Sequence, residues 1–183
     1  MKKTTYDNAS RKHTIIMVLG ITTLVLLMLV SIAGAAQSTN VWFHKGSELM
    51  SSEKYNEAIK AYDKAIEINP RDSDVWYKKG NILNRLNKSD EAIKAYDKVI
   101  EINPQNSKAW YSKGVVLDNL NKYDEAITAY DKASEIDPHN SAVWYNKAVT
   151  LSKLGDSDEA IKAYARAIEI NPSESEAWSM MKQ

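Results

Sequence analysis

Residues 73–106 read SDVWYKKGNILNRLNKSDEAIKAYDKVIEINPQN, and two helical patterns lie inside them. Val75, Trp76, Gly80, Leu83 and Leu86 are apolar or small at the spacing of one helix face. Ser73 is the expected cap of that helix, with Thr39, Ser107, Ser141 and Ser175 in the same place elsewhere. Asp90 and Glu91, acids suited to a helix N-terminus, open a second helix. It shows Ala92, Ile93, Tyr96, Val99, Ile100 and Ile102 on one side. Asn103-Pro104 stops it, because proline cannot continue a hydrogen-bonded turn and disfavours helix in the residue before it.

The same unit recurs along the chain. Trp42, Trp76, Trp110, Trp144 and Trp178 are the five tryptophans, each 34 residues after the last, and the four prolines, Pro70, Pro104, Pro138 and Pro172, keep the same beat. A fixed period of this length marks a solenoid of helix-turn-helix units, repeated because one unit cannot bury its own apolar face. In register the repeats run 39–72, 73–106, 107–140 and 141–174, with a partial fifth at 175–183. Gly46, Gly80, Gly114 and Ala148 in the first helices, and Ala58, Ala92, Ala126 and Ala160 in the second, let the helices approach closely. The tryptophans, with Tyr62, Tyr96, Tyr130 and Tyr164, are expected to fill the larger spaces.

These residues resemble the tetratricopeptide repeat family. Trp110, Gly114, Leu117, Ala126, Tyr130, Ala133 and Pro138 reproduce its W-x3-G-x2-L and A-x3-Y-x2-A patterns and its closing proline. The resemblance implies an all-α, right-handed superhelical solenoid of antiparallel helix pairs. It also implies a protein or peptide partner held on the concave face by the first helices. The groove positions carried over are Asn40, Asp74, Lys108, Ala142; Phe43, Tyr77, Tyr111, Tyr145; Ser47, Asn81, Val115, Val149; and Met50, Asn84, Asp118, Ser152. The aromatic row offers the amphipathic contact area that dominates interfaces, although packing within the repeat explains it equally. Asn81, Asn84, Lys108 and Asp118 are the polar neighbours able to set direction. The carboxylate clamp of chaperone-binding relatives is absent, since Phe43, Tyr77 and Tyr111 stand where its lysine would. Where the family has leucine before the small position, this chain has Lys45, Lys79, Lys113 and Lys147, whose stems can cover apolar surface while the ammonium reaches water. The family often closes with a polar capping helix, whereas here Trp178 to Gln183 only begin a first helix. The C-terminal end of the solenoid is therefore expected to stay partly apolar, which would allow homo-oligomer contacts.

The remainder of the chain is a separate segment. From Thr14 to Ala36 no charged residue occurs, and Ile15–Ile32 is mostly aliphatic. As a helix, 23 residues reach roughly 34 Å, enough for a hydrocarbon core. Two readings fit: a retained single-pass anchor over 14–36, or a secretory signal cleaved after Ala35 or Ala36. Residues 37–38 then form a short linker. Lys2, Lys3, Arg11 and Lys12 make residues 1–13 a basic, cytoplasmic N-terminus by the positive-inside rule, so the repeats are expected to be extracytoplasmic.

Composition narrows the chemistry. There is no cysteine, which excludes disulfides, thiolate metal sites and cysteine nucleophiles. His13, His44 and His139 lack partners at ligand spacing, and the glycines form no phosphate-cradling loop. The formal net charge is zero, but the basic N-terminus leaves the repeats slightly acidic, a poor match for nucleic acid. Acidic pairs such as Asp90-Glu91, Asp124-Glu125 and Asp158-Glu159 recur with the repeat as helix-end charges. The expectation is a membrane-anchored interaction module with no active site, cofactor or metal. The alternatives are a structural homo-oligomerising element and a non-catalytic regulatory subunit of a membrane or envelope complex.

Overall fold

A computed structural model describes the backbone of residues 2–173, and the side chains of that range apart from 2–16, 18, 19, 31–33, 35 and 36. The partial fifth repeat at 175–183, with Ser175 and Trp178, lies outside the described residues, as do the side chains of the basic N-terminus and part of 14–36. Eight helices follow one another among the described residues: α1 (Lys2–Ser51), α2 (Tyr55–Ile68), α3 (Ser73–Arg85), α4 (Ser89–Ile102), α5 (Ser107–Asn119), α6 (Tyr123–Ile136), α7 (Ser141–Leu154) and α8 (Ser157–Ile170). They pair as α1–α2, α3–α4, α5–α6 and α7–α8, and each pair packs on the next.

The pairing turns on one close crossing. Tyr62, Tyr96 and Tyr130 are at most 1% exposed and Tyr164 is 3% exposed. A Cβ at Gly46, Gly80 or Gly114 would lie 2.5, 2.7 or 2.6 Å from the ring of Tyr62, Tyr96 or Tyr130. The alanines Ala58, Ala61, Ala65, Ala92 and Ala95 complete a core of small residues around large rings. Between repeats, Val75 and Ile82 of α3 join Ala58, Tyr62 and Ala65 of the preceding pair, and Val116 and Val143 repeat this further along. Val41 occupies the place of Val75 with no repeat before it, and is 62% exposed.

Three expectations need correction. The first helices are capped one residue earlier than Ser73, Ser107 and Ser141: Asp72, Asn106 and Asn140 are the caps, and the serines are already helical. The Asp72 carboxylate accepts from the amides of Asp74 and Val75, and Asn106 from that of Ala109; a carboxylate or amide reaches these donors from outside the helix. Thr39 caps nothing, because α1 runs unbroken through it and through the expected linker at 37–38. No proline lies between Lys2 and Ser51, and the hydroxyl of Ser38 donates to the carbonyl of Gly34 at 2.9 Å, so nothing there stops a helix. Finally, Trp42, Trp76, Trp110 and Trp144 are half-buried rather than enclosed.

Each first helix gives way to the second through a left-handed residue. Glu53, Asn87, Asn121 and Gly155 have φ of 58°, 56°, 60° and 90°, the conformation that reverses the chain at a helix C-terminus.

A candidate partner groove on the first helices

The first helices line the inner side of the array. α3 packs against α5 and α5 against α7, whereas successive second helices make no comparable contact. The inner side chains therefore come from positions already equivalent by repeat.

The aromatic row is built into the solenoid along one edge. The rings of Phe43, Tyr77, Tyr111 and Tyr145 lie 6.1, 6.0, 6.0 and 5.8 Å from those of Tyr62, Tyr96, Tyr130 and Tyr164. All four remain half-exposed. Two hydroxyls also reach the following repeat: Tyr77 meets the hydroxyl of Ser112 at 3.3 Å, and Tyr111 accepts from the Asn146 amide at 3.0 Å. The row thus combines packing with accessible area.

The polar positions divide. Asn81 accepts from the Tyr96 hydroxyl at 2.8 Å. Asp118 takes Thr150 at 2.9 Å and Lys153 at 2.6 Å, both from the next repeat. These two residues brace the inner face. Asn84 and Lys108 carry no such bond with the described residues, and Lys108 is exposed. The row Ser47, Asn81, Val115, Val149 passes from polar to apolar along the array, giving the face a direction.

Burial perturbs the tyrosines beneath. It raises the pKa of Tyr62, Tyr96 and Tyr130; at Tyr130 the Asp118 carboxylate adds to the effect. These hydroxyls stay neutral, acting as hydrogen-bonding struts.

The lysine and aspartate series form a ladder that separate inspection of either series misses. Lys79, Lys113 and Lys147 reach Asp63, Asp97 and Asp131 of the preceding repeat, the first two at 2.6 and 2.7 Å. Each ammonium also lies 5.4–5.8 Å from the centre of the tryptophan ring three residues earlier. The shared period of the two series was the available signal. Lys45 has no repeat before it and is exposed. Among the described residues no group of three or more His, Asp or Glu side chains is arranged to hold a metal.

An inner face of first helices, tied rung by rung to the next repeat, defines a helical-repeat scaffold of the protein-binding kind. Residues 120–183 match the family model described as tetratricopeptide repeat, and residues 51–133 match that of anaphase-promoting complex, cyclosome, subunit 3. The repeat region accordingly has a fold similar to that of tetratricopeptide-repeat solenoids. Among solved structures it is similar to a MamA protein, at 21% identity over 80% of each chain with a TM-score of 0.76. MamA of Desulfovibrio magneticus RS-1 follows at 19% identity, covering 79% of this chain and 81% of that one, TM-score 0.74. PilF of Pseudomonas aeruginosa is 18% identical over 81% of this chain and 68% of its own, TM-score 0.71. At these identities the likeness is one of fold. No curated protein matches the chain by sequence.

Proposed function

We propose that the chain is a membrane-anchored, extracytoplasmic scaffold whose inner face holds an extended or helical segment of a partner protein. One observation carries this reading: a half-exposed aromatic ring per repeat, four in line, beside a row that grades from Ser47 and Asn81 to Val115 and Val149. Such rings give contact area at little entropic cost, and the graded row gives polarity to the bound segment.

The anchor is part of the proposal. Among the described residues no helix is long and apolar enough to cross a membrane; the longest described run of side chains within 14–36 is 20–30. Support comes from that run itself. Ile21 and Leu24 to Val30 are 49–68% exposed and touch no repeat strongly enough to be covered. The Thr23 hydroxyl donates to the Gly20 carbonyl at 2.9 Å, the internal satisfaction a polar group needs in hydrocarbon. Lys2, Lys3, Arg11 and Lys12 orient the repeats outward.

The test uses residues that leave the packing intact. A photo-crosslinker at position 84 or 108 should trap a partner in native membranes, and Asn84→Arg with Lys108→Glu should abolish capture while the thermal midpoint holds. Undiminished capture by the double variant would move binding off the inner face. Extraction of the chain at alkaline pH would replace the anchor by signal cleavage. A second reading, self-association, is favoured by Ile161, 52% exposed where Ile59, Ile93 and Ile127 are half-buried. A mass in dilute detergent above that of the monomer would support it.

A further inference from the structure

We infer that α1 fixes the height and orientation of the solenoid, so that its inner face runs along the membrane surface and takes a juxtamembrane segment of another membrane protein. This rests on residues 14–36 being a retained anchor.

The first link is continuity. α1 is one helix from Lys2 to Ser51, so the element that leaves the bilayer is also the first helix of repeat 1. With no proline and no left-handed residue before Glu53, the solenoid has no joint on which to swing.

The second link is level. Within repeat 1, Gly46 lies against Tyr62; across the seam, Asp63 takes Lys79 at 2.6 Å. Positions 46 and 79 are therefore at nearly the same height, and α3 runs in the same direction as the 39–51 part of α1 because each is antiparallel to α2 between them. Gly80, Tyr96, Asp97 and Lys113 repeat this relation for α5, and Gly114, Tyr130, Asp131 and Lys147 for α7. The Asn-Pro turns at 69–72 and 103–106 and the Asp-Pro turn at 137–140 consequently share the edge from which α1 projects. That edge faces the bilayer.

The third link is distance. Counting from Ala36, the end of the uncharged stretch, a rise of 1.5 Å per residue puts Phe43 about 10 Å and Met50 about 21 Å above it. The headgroup layer is roughly 5–8 Å thick, so the inner face begins just beyond it. A partner segment bound there lies within about 20 Å of the bilayer.

Charge selects polypeptide over lipid. The turn edge carries Glu67, Asp72, Asp74, Glu101, Glu135 and Asp137, balanced largely by Arg71, Lys108, Lys64 one turn before Glu67, and Lys98 and Lys132 paired with Glu101 and Glu135. An edge so nearly balanced gives an anionic surface no hold, so the solenoid stands on its stalk and the groove stays open. The groove itself mixes Asp74 and Asp118 with Lys108 and offers no cationic cluster for a phosphate.

The chain lacks cysteine, so single labels are unambiguous. Full-length protein in phosphatidylcholine vesicles is labelled through Arg71→Cys or Gln105→Cys on the turn edge, Lys88→Cys or Lys122→Cys on the opposite edge, and Gln37→Cys at the membrane exit. A lipid with a nitroxide on its headgroup is the quencher. Labels at 37, 71 and 105 should lose most of their fluorescence and those at 88 and 122 little. Quenching at 37 with equal values at both edges would overturn the fixed orientation and leave the anchor standing. An unquenched label at 37 would overturn the anchor itself. In native membranes, adducts from position 84 should map next to a membrane span of the partner; adducts with a soluble protein, or none, would overturn the partner class.

Discussion

Trp76, Trp110 and Trp144 keep time with Pro70, Pro104 and Pro138 because the two series are bonded: each indole N–H donates to the proline carbonyl six residues earlier, at 3.0, 3.0 and 3.1 Å. The bond holds each new first helix to the turn that precedes it. Trp76→Phe keeps most of the ring and removes the donor, so it should cost about 0.5–1.5 kcal/mol. Trp42 has no proline six residues before it, and Trp42→Phe should cost less; thermal unfolding of the two variants compares them. The left-handed residues make a second case. Asn87, Asn121 and Gly155 suit positive φ, whereas Glu53 adopts φ of 58° with a side chain that resists it. Glu53→Gly should relieve strain of order 1 kcal/mol, read as a raised denaturant midpoint with an unchanged slope. Both series were visible as periodic letters, but the Trp–Pro bond was not legible, because it forms across a turn whose geometry the spacing leaves open. Glu53 likewise hid its conformation by not being Asn or Gly.

At the scale of helices, a close crossing at Gly46, Gly80 and Gly114 was legible, but that each meets the ring of Tyr62, Tyr96 or Tyr130 was not, because the spacing offered the alanines of the second helices as partners. The ends of the helices were less so. Ser73 and Ser107 cap well in general, but Asp72 and Asn106 sit before them and cap first, and Asn140 holds the same position before Ser141 without a side-chain bond. The helix start expected at Thr39 failed for a similar reason: a charge-free segment followed by a repeat looks like two elements, yet no residue between them interrupts the hydrogen-bond ladder. The groove positions follow from the repeat register alone, while the bracing of Asn81 by Tyr96 of its own repeat and of Asp118 by Thr150 and Lys153 of the next required the packed helices to be seen. The buried tyrosines give the element-scale prediction. Burial raises the pKa of Tyr62, Tyr96 and Tyr130 above 10.0, the ordinary value. A tyrosine that ionises more easily unfolded than folded contributes stability that is intact below that value and lost as pH rises beyond it. The thermal midpoint should thus be level from pH 7 to about 9 and fall above about 10, and the fall should be smaller when Tyr62, Tyr96 and Tyr130 are replaced by phenylalanine. A fall of the same size in that phenylalanine variant would contradict the burial of these hydroxyls.

For the whole molecule, stability is a sum over repeats and the seams between them, and the seams are not alike. Between repeats 1 and 2 the Arg85 guanidinium lies 5.4 Å from the Tyr55 ring centre, and between repeats 3 and 4 the Lys153 ammonium lies 5.7 Å from that of Tyr123. The third and fourth repeats are further joined by Asp118 with Thr150 and Lys153. At the middle seam the equivalent residues are Ser89 and Asn119, which supply neither ring nor cation. The ladder pair Asp97–Lys113 is present there as elsewhere, but a partly exposed ion pair contributes only about 0–1 kcal/mol. The array should therefore open first between α4 and α5, and amide exchange should report weaker protection on the facing sides of these helices than at the other two seams. Ser89→Tyr with Asn119→Arg transplants the missing contact, because Tyr55 and Tyr123 already begin their helices at that position. Its coupling should be about 0.5–1 kcal/mol in a double-mutant cycle, with each single change near neutral. Zero coupling, or unchanged exchange at the middle seam, would mean that these rings and cations lie side by side without holding the repeats together.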